Sequence, residues 1–236
     1  MLKAVIFDLD HTLFDRHATL RAIVPALRRA FSVDETRTDD EIAAIWQYAD
    51  DNFILDGWSY IFACLVENGV FTSPASYEQY RSFVYENFAK TAVPFDYALP
   101  MLTRLKEKGY KIGLITNGQH ALQYKKLKLI GLSYIFDEII VSGDYMVEKP
   151  SKEIFLLMCE KLSLEPGECV YVGDNRKNDV DGAAGAGMKT VWVQSTNVHQ
   201  SGRYEPDAAI RTLKELENLD MFKNQNFCSG SGLIKL

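Results

Sequence analysis

The chain has 236 residues, 47% hydrophobic and 25% charged, the balance of a globular protein with a sizeable core rather than a disordered tail, a fibre or a miniature scaffold. Its 26 basic and 32 acidic residues give a net charge of -6 with no stripe of Lys and Arg, which argues against a nucleic-acid polymer as partner. The longest near-apolar run, 129–136, is broken by Gly131 and Ser133 and falls far short of the roughly 20 residues of a membrane span.

Residues 3–7 (KAVIF) are a short apolar run that stops at Asp8-Leu9-Asp10, the pattern of a buried strand delivering acidic residues at its C-terminal end. The run starts too early to leave room for a signal peptide. From 15 to 95 the spacing is helical: Ile42, Ile45, Trp46 and Ala49 share one face, Tyr77, Tyr80, Val84 and Phe88 another, and Asp56-Gly57 and Ser73-Pro74 punctuate. This third of the chain holds 14 of the 28 aromatic residues, enough to fill a small helical core. Further strand-like runs follow at 111–115 (KIGLI), 138–141 (EIIV), 169–172 (CVYV) and 190–193 (TVWV), with helical patterns between them. The alternation implies an α/β fold, a Rossmann-like doubly wound parallel sheet. Residues 1–14 and 96–222 then form a discontinuous core, 15–95 an inserted α-helical domain, and 223–236 a turn-rich, loosely ordered tail.

Cys64, Cys159, Cys169 and Cys228 are scattered, without CxxC spacing, and read as small core residues of a reducing compartment. A cytoplasmic monomer is the expectation.

In a doubly wound sheet, ligands bind outside the carboxyl ends of the strands, and polar residues follow four of these five. Asp8 and Asp10 repel one another, which raises one pKa unless a cation intervenes, so that one is ionised while the other carries a proton. Covalent phosphoryl transfer needs that division: one carboxylate attacks phosphorus, and a second acid protonates the leaving oxygen and later deprotonates water. Asp-Leu-Asp is equally a loop with a capping aspartate. Asp174, after the fourth strand, and Asp179 supply more hard oxygen ligands, which suit Mg2+, although Asp174 also fits a helix cap. His11, His17, His120 and His199 are dispersed, with no Cys/His cluster, which disfavours zinc. Thr116-Asn117-Gly118 place a hydroxyl, an amide and a flexible backbone before a helix, a phosphate-welcoming position or an ordinary turn and N-cap. Lys149 precedes Pro150, which suits the first turn of a helix over 151–161. Pointing inward, Lys149 neutralises a phosphate and its attacking carboxylate; pointing outward, it is a solvated lysine. Gly182, Gly185 and Gly187 lie within or after a helix, where they serve close packing and a C-terminal cap rather than a dinucleotide fingerprint.

Together, Asp8-Leu9-Asp10-His11-Thr12, Thr116-Asn117-Gly118, Lys149-Pro150 and Gly173-Asp174 through Asp179 closely resemble the four motifs of the haloacid dehalogenase-like hydrolase superfamily, over residues 3 to about 195. The helical insertion resembles that family's first type of cap. The resemblance implies Asp8 as nucleophile, Asp10 as general acid and then base, and Thr116, with Asn117 and Gly118 nearby, as phosphate ligands. Lys149 would hold the phosphate and Asp8; Asp8, the Asp10 carbonyl and Asp174 would bind Mg2+, and Asp179 would order its water. Asp10 is present where the family's dehalogenases lack it, so the resemblance implies a phosphatase, although His11 stands where many members carry glycine. The nucleotidase-like look and the aromatic cap point first to a nucleoside 5'-monophosphate, with a sugar phosphate or phosphoglycolate, a phosphomutase, and a silent binding protein as alternatives. Asp15, Arg16, His17, Trp46 and Trp58 are the candidates for contacts from the cap.

Overall fold

The computed structural model describes residues 1–54, 56–194 and 200–223. One six-stranded sheet is formed by β1 (Ala4–Phe7), β2 (Lys111–Thr116), β3 (Glu138–Val141), β4 (Cys169–Gly173), β5 (Lys189–Val193) and β6 (Ala208–Ile210). Every pairing is parallel, and the order is β3-β2-β1-β4-β5-β6. Five strands lie within a residue of the sequence expectation. The sixth is an addition: three residues with two alanines carry no β-branched alternation to announce them.

Helices α1 (Arg16–Ala30), α2 (Asp39–Phe53), α3 (Trp58–Glu67), α4 (Tyr77–Asn87) and α5 (Ala98–Glu107) lie between β1 and β2. They are followed by α6 (His120–Leu129), α7 (Lys152–Leu162), α8 (Gly182–Gly185) and α9 (Asp220–Lys223). The side-chain period of two explains why β1 is apolar throughout. Val5 and Phe7 join a cluster with Met101, Leu102 and Leu105 of α5 and Leu127 of α6, while Ala4 and Ile6 face Ile154, Phe155 and Met158 of α7. Helices therefore cover both faces, and a strand buried on both sides has no polar face to show. Gly182 makes the close approach that its helix suggested, since a Cβ there would stand 2.5 Å from Phe155 Cε2.

The order of the strands positions the site. From β1 the chain builds outward through β2 and β3, then returns to the other side of β1 for β4, β5 and β6. The ends of β1 and β4 diverge at this reversal and leave a crevice, the place where doubly wound sheets take ligands.

In the helices between β1 and β2, Thr38 and Ser76 close reciprocal capping boxes with Glu41 and Gln79 at the starts of α2 and α4. Trp46, Tyr80 and Phe88 are fully buried, with Phe62 5.1 Å from Tyr80 and Trp58 5.8 Å from Phe88 between ring centres. The two segments joining these helices to the sheet run side by side: Phe14 bridges Pro94 in antiparallel fashion, Asp15 N–H donates to Val93 O at 2.7 Å, and Phe95 N–H to Leu13 O at 3.2 Å.

Cys159 and Cys169 are not scattered. They meet at 3.8 Å between α7 and β4, as free buried thiols. Cys228, His199 and all but the first residue of the expected tail at 223–236 lie outside the described residues. Among the described residues, no helix is long and apolar enough to cross a membrane.

Candidate active site

Asp8 stands one residue beyond β1, and its N–H still donates to Val172 O of β4 at 2.9 Å, so the sheet itself fixes its backbone. Lys149 is buried and donates to Asp8 Oδ1 at 2.5 Å, to Asp179 Oδ1 at 2.7 Å and to Tyr171 Oη at 3.0 Å. All three of its ammonium donors are thus engaged, and the inward orientation left open by the sequence is the one adopted. Burial works against the Lys149 charge, but Asp179 and Asp8 outweigh it and hold its pKa well above that of an ordinary lysine.

The segment that carries Lys149 is held by Asn117. Its Nδ2 donates to Lys149 O at 3.0 Å, and its Oδ1 accepts from Lys149 N–H at 2.9 Å. The Asn117 side chain therefore positions the lysine. Gly118 N–H is taken by Ser142 Oγ at 3.0 Å, and the buried Thr116 hydroxyl accepts from Gln123 Nε2 at 2.6 Å. Pro150 does not open α7, as its sequence position suggested. The helix starts at Lys152 with Ser151 before it, and Pro150 follows a cis peptide bond in the preceding turn.

Across the switch point, Asp174 follows β4, and its carbonyl accepts from Trp192 Nε1 at 2.8 Å. The wide helical turn Arg176–Asp181 then brings back the buried Asp179, whose Oδ2 accepts from Asn175 N–H at 2.9 Å. Oxygens of Asp8, Asp174 and Asp179 all lie within 4.8 Å of one another. Burial, opposed by Lys149 and reinforced by Asp179, raises the Asp8 pKa to about 7. Burial followed by Asp179 and Asp8 raises that of Asp174 well above the carboxylate range. Three converging carboxylates, two of them resisting ionisation and two of them joined by Lys149, form a set of hard oxygen donors that fits Mg2+, which the sequence suggested.

Asp10 is governed differently. Lys126 Nζ reaches both of its oxygens at 2.7 Å, Arg16 Nη1 donates at 3.1 Å and Gln123 Nε2 at 3.3 Å. Burial alone would raise its pKa, but Lys126 and Arg16 hold it well below the usual carboxylate range. The sequence anticipated a pair split by mutual repulsion with the proton on one member. The split exists, but burial leads in raising Asp8 and two cations hold down Asp10, the member kept ionised.

Arg16 is buried, bidentate to Asp50 at 2.6 and 2.7 Å, with its guanidinium 4.8 Å from the Phe88 ring centre and 5.2 Å from that of Trp58. Burial would raise the pKa of Asp50, but Arg16 brings it down to about 2. The crevice so formed holds about 240 Å³; Ile54, Trp58, Phe88 and Leu122 line it together with the carboxylates. A larger hollow of about 690 Å³ is lined by Arg29, Glu78 and Glu86 among others and shares none of these residues. Of the cap candidates, Arg16 and Trp58 reach the crevice. Asp15 instead caps α1, accepting from Ala18 N–H at 2.8 Å; Trp46 is enclosed in the helical core, and His17 pairs with Asp51 at 2.7 Å. The histidines are not all dispersed, because the His11 and His17 rings meet with centres 4.8 Å apart.

Sequence reasoning missed Lys126, Gln123, Asp50 and Tyr171. Gln123, Lys126 and Leu127 share the buried face of α6, and the three-to-four spacing was the available signal. It was hidden because Lys125 and Lys128 flank a lysine of the same type.

The model of a family described as haloacid dehalogenase-like hydrolase matches residues 5–193. Similar curated proteins include glyceraldehyde 3-phosphate phosphatases of Methanopyrus kandleri, 28% identical over 82% of this chain and 84% of that one, and of Pyrococcus furiosus, 30% identical over 82% and 81%. N-acylneuraminate-9-phosphatase of Rattus norvegicus is 39% identical over 50% of this chain and 48% of its own length. Among solved structures, a phosphatase from Thermococcus onnurineus matches with a TM-score of 0.63 and 30% identity, over 92% of this chain and 97% of its own.

Proposed function

Because the chain belongs to the haloacid dehalogenase-like hydrolase family and is a phosphoric monoester hydrolase, we propose that it hydrolyses a sugar phosphate, with Mg2+, through an aspartyl-phosphate on Asp8. The observation that carries this reading is the Lys149 ammonium joined to Asp8 and Asp179, two of the three carboxylates that converge with Asp174.

A free oxygen of Asp8 attacks phosphorus, and the bond from phosphorus to the substrate oxygen breaks. Lys149 offsets the charge that gathers on Asp8 and the transferring group, where loose phosphoryl transition states need it. Asp10 gives the departing oxygen a proton. It then takes one from the water that attacks the aspartyl-phosphate, releasing phosphate and restoring Asp8. Asp10 performs this role only after substrate entry separates it from Lys126 or Arg16, whose joint grip keeps it ionised, and it takes up a proton from solvent or from the entering phosphate monoester. Thr116 lines the crevice and would meet a phosphate oxygen there, and Asn117 acts through the Lys149 backbone. Asp8, Asp174 and the Asp10 carbonyl would hold Mg2+, with Asp179 ordering its water; the ion supplies the remaining positive charge for the phosphoryl group. Residues 15–95 act as a cap, contributing Arg16, Ile54, Trp58 and Phe88 to the leaving-group side.

For the substrate, the relatives named as glyceraldehyde 3-phosphate and N-acylneuraminate-9-phosphate phosphatases act on a phosphate ester of a hydroxylated carbon chain, and about 240 Å³ suits a phosphate with a short leaving group. The test is phosphate release from a panel of triose and longer sugar phosphates, phosphoglycolate and nucleoside 5'-monophosphates, with Mg2+ or chelator, for wild type and Asp8→Asn. Selective turnover of a sugar phosphate, lost with chelator and lowered at least about 10³-fold in Asp8→Asn, is expected. Preference for a nucleotide overturns the substrate class; full activity in Asp8→Asn overturns the mechanism.

A further inference from the structure

On the helical side of the crevice, which His11 itself helps to line, lies a second set of ligating atoms. His11 follows Asp10 in the loop after β1, His17 is in the first turn of α1, and Asp51 is near the end of α2. The two imidazoles meet edge to face, their planes at 80°. His17 Nε2 lies 2.7 Å from Asp51 Oδ1, and one ring nitrogen of each histidine and a carboxylate oxygen of Asp51 all fall within 4.8 Å of one another. Asp50 Oδ2 approaches His11 Nε2 to 3.7 Å. All three side chains are partly buried, so water has access to complete a coordination shell.

Two independent features make this more than a chance meeting. His11 has φ 59°, in the left-handed region that glycine enters freely and other residues seldom do. The loop thus holds an imidazole in a backbone conformation that most side chains avoid. Two carboxylates also stand against the two rings, Asp51 Oδ1 at 2.7 Å from His17 Nε2 and Asp50 Oδ2, paired with Arg16, at 3.7 Å from His11 Nε2. Asp51 thus offers the anionic ligand that a pair of imidazoles lacks.

We propose that His11, His17 and Asp51 form a second metal site, distinct from the carboxylate trio, which takes Zn2+ or a similar transition-metal cation and ties the loop after β1 to α1 and α2. Two imidazoles and one carboxylate are the donor set of such ions, whereas Mg2+ prefers oxygen alone. The geometry needs only a small adjustment: bonds of about 2 Å in a tetrahedral shell put ligand atoms about 3.3 Å apart. The contact between His17 and Asp51 therefore opens slightly and the wider gaps close. His11 belongs to the sheet side of the paired connecting segments and the other two ligands to the helical side, so an occupied site holds the helices down over the crevice.

The test uses the full-length protein titrated with Co2+ as a spectroscopic stand-in for Zn2+, followed by visible absorption, in wild type, Asp174→Asn, His17→Gln, Asp51→Asn and His11→Gly. His11→Gly suits the left-handed backbone, so misfolding does not confound it. One equivalent is expected to give nitrogen-ligated d–d bands that Zn2+ abolishes and excess Mg2+ does not. Those bands should persist in Asp174→Asn and weaken in affinity at least about tenfold in His11→Gly and His17→Gln. Zn2+ should raise the melting temperature of wild type but not of His11→Gly. The absence of bands, undiminished affinity in His11→Gly, or loss of the bands in Asp174→Asn overturns the proposal. None of these readouts depends on turnover.

Discussion

Gly173 ends β4 without a side chain because the Asp179 carboxyl occupies the space: a Cβ there would stand 2.4 Å from both Asp179 Cγ and Oδ2. Gly173→Ala must push Asp179 away from Lys149, and overpacking of this kind costs about 1–3 kcal/mol. Chemical denaturation should show that loss and phosphate release a matching fall in kcat; an alanine variant with wild-type values would mean that Asp179 moves without consequence. Asn117→Ala tests another support of the same lysine. It removes both hydrogen bonds to the Lys149 backbone while leaving every ionisable group in place. Because the amide aims the ammonium proposed to offset charge at Asp8, kcat is expected to drop by up to about 10²-fold with little change in KM; a rise in KM alone would assign Asn117 to substrate binding. The sequence named Asp8, Asp10, Thr116, Asn117, Lys149, Asp174 and Asp179 because each follows a strand or a turn whose end is visible as an apolar run. It did not distinguish a side chain that meets phosphate from one that holds its neighbour. That distinction depends on which backbone lies opposite, and Lys149 is 32 residues from Asn117.

At the scale of elements, the joint between α1, α2 and the loop after β1 is made by Arg16 and Asp50. The pair is buried, and Arg16 also reaches Asp10. Removing one partner leaves a charge without compensation in a dry setting. Asp50→Ala is therefore expected to cost about 3–5 kcal/mol in urea unfolding, and Arg16→Met combined with Asp50→Leu to recover much of that. Equal losses in the single and double variants would show that the pair contributes packing rather than charge compensation. The contact was not readable in the chain, since 34 residues separate the partners and the spacing of α2 announces only its apolar face. The elements themselves were legible where burial imposes a regular pattern. β1, β2, β3, β4 and β5 showed as continuous apolar runs because helices cover both sheet faces, and α2 and α4 showed by their periodic aromatic and aliphatic faces. β6 was hidden because an edge strand of three residues, only one of them buried, needs no such pattern.

The whole molecule concentrates negative charge where its two sets of elements meet. Asp8, Asp10, Asp50, Asp174 and Asp179 face Lys126, Lys149 and Arg16 around the crevice, so carboxylates outnumber cations by two, the charge of one divalent ion. Burial and mutual repulsion hold Asp8 and Asp174 above their ordinary pKa, which makes the metal-free protein less stable than its packing alone allows. Filling the site removes that repulsion in the native state and has no counterpart in the unfolded chain, where the carboxylates are far apart. Mg2+ at a hundred times its dissociation constant is therefore expected to stabilise the protein by about 2.7 kcal/mol, equivalent to a rise of roughly 5–10 °C in melting temperature for a chain of this size. The gain should shrink below pH about 7, where protons compete with the ion for Asp8. Calorimetry with Mg2+ and then chelator checks the magnitude and its reversal. Asp174→Asn removes a ligand and part of the repulsion together, so it should start more stable than metal-free wild type and respond little to Mg2+. An undiminished response in that variant would place the ion elsewhere and leave the raised Asp8 and Asp174 carboxyls without their cation.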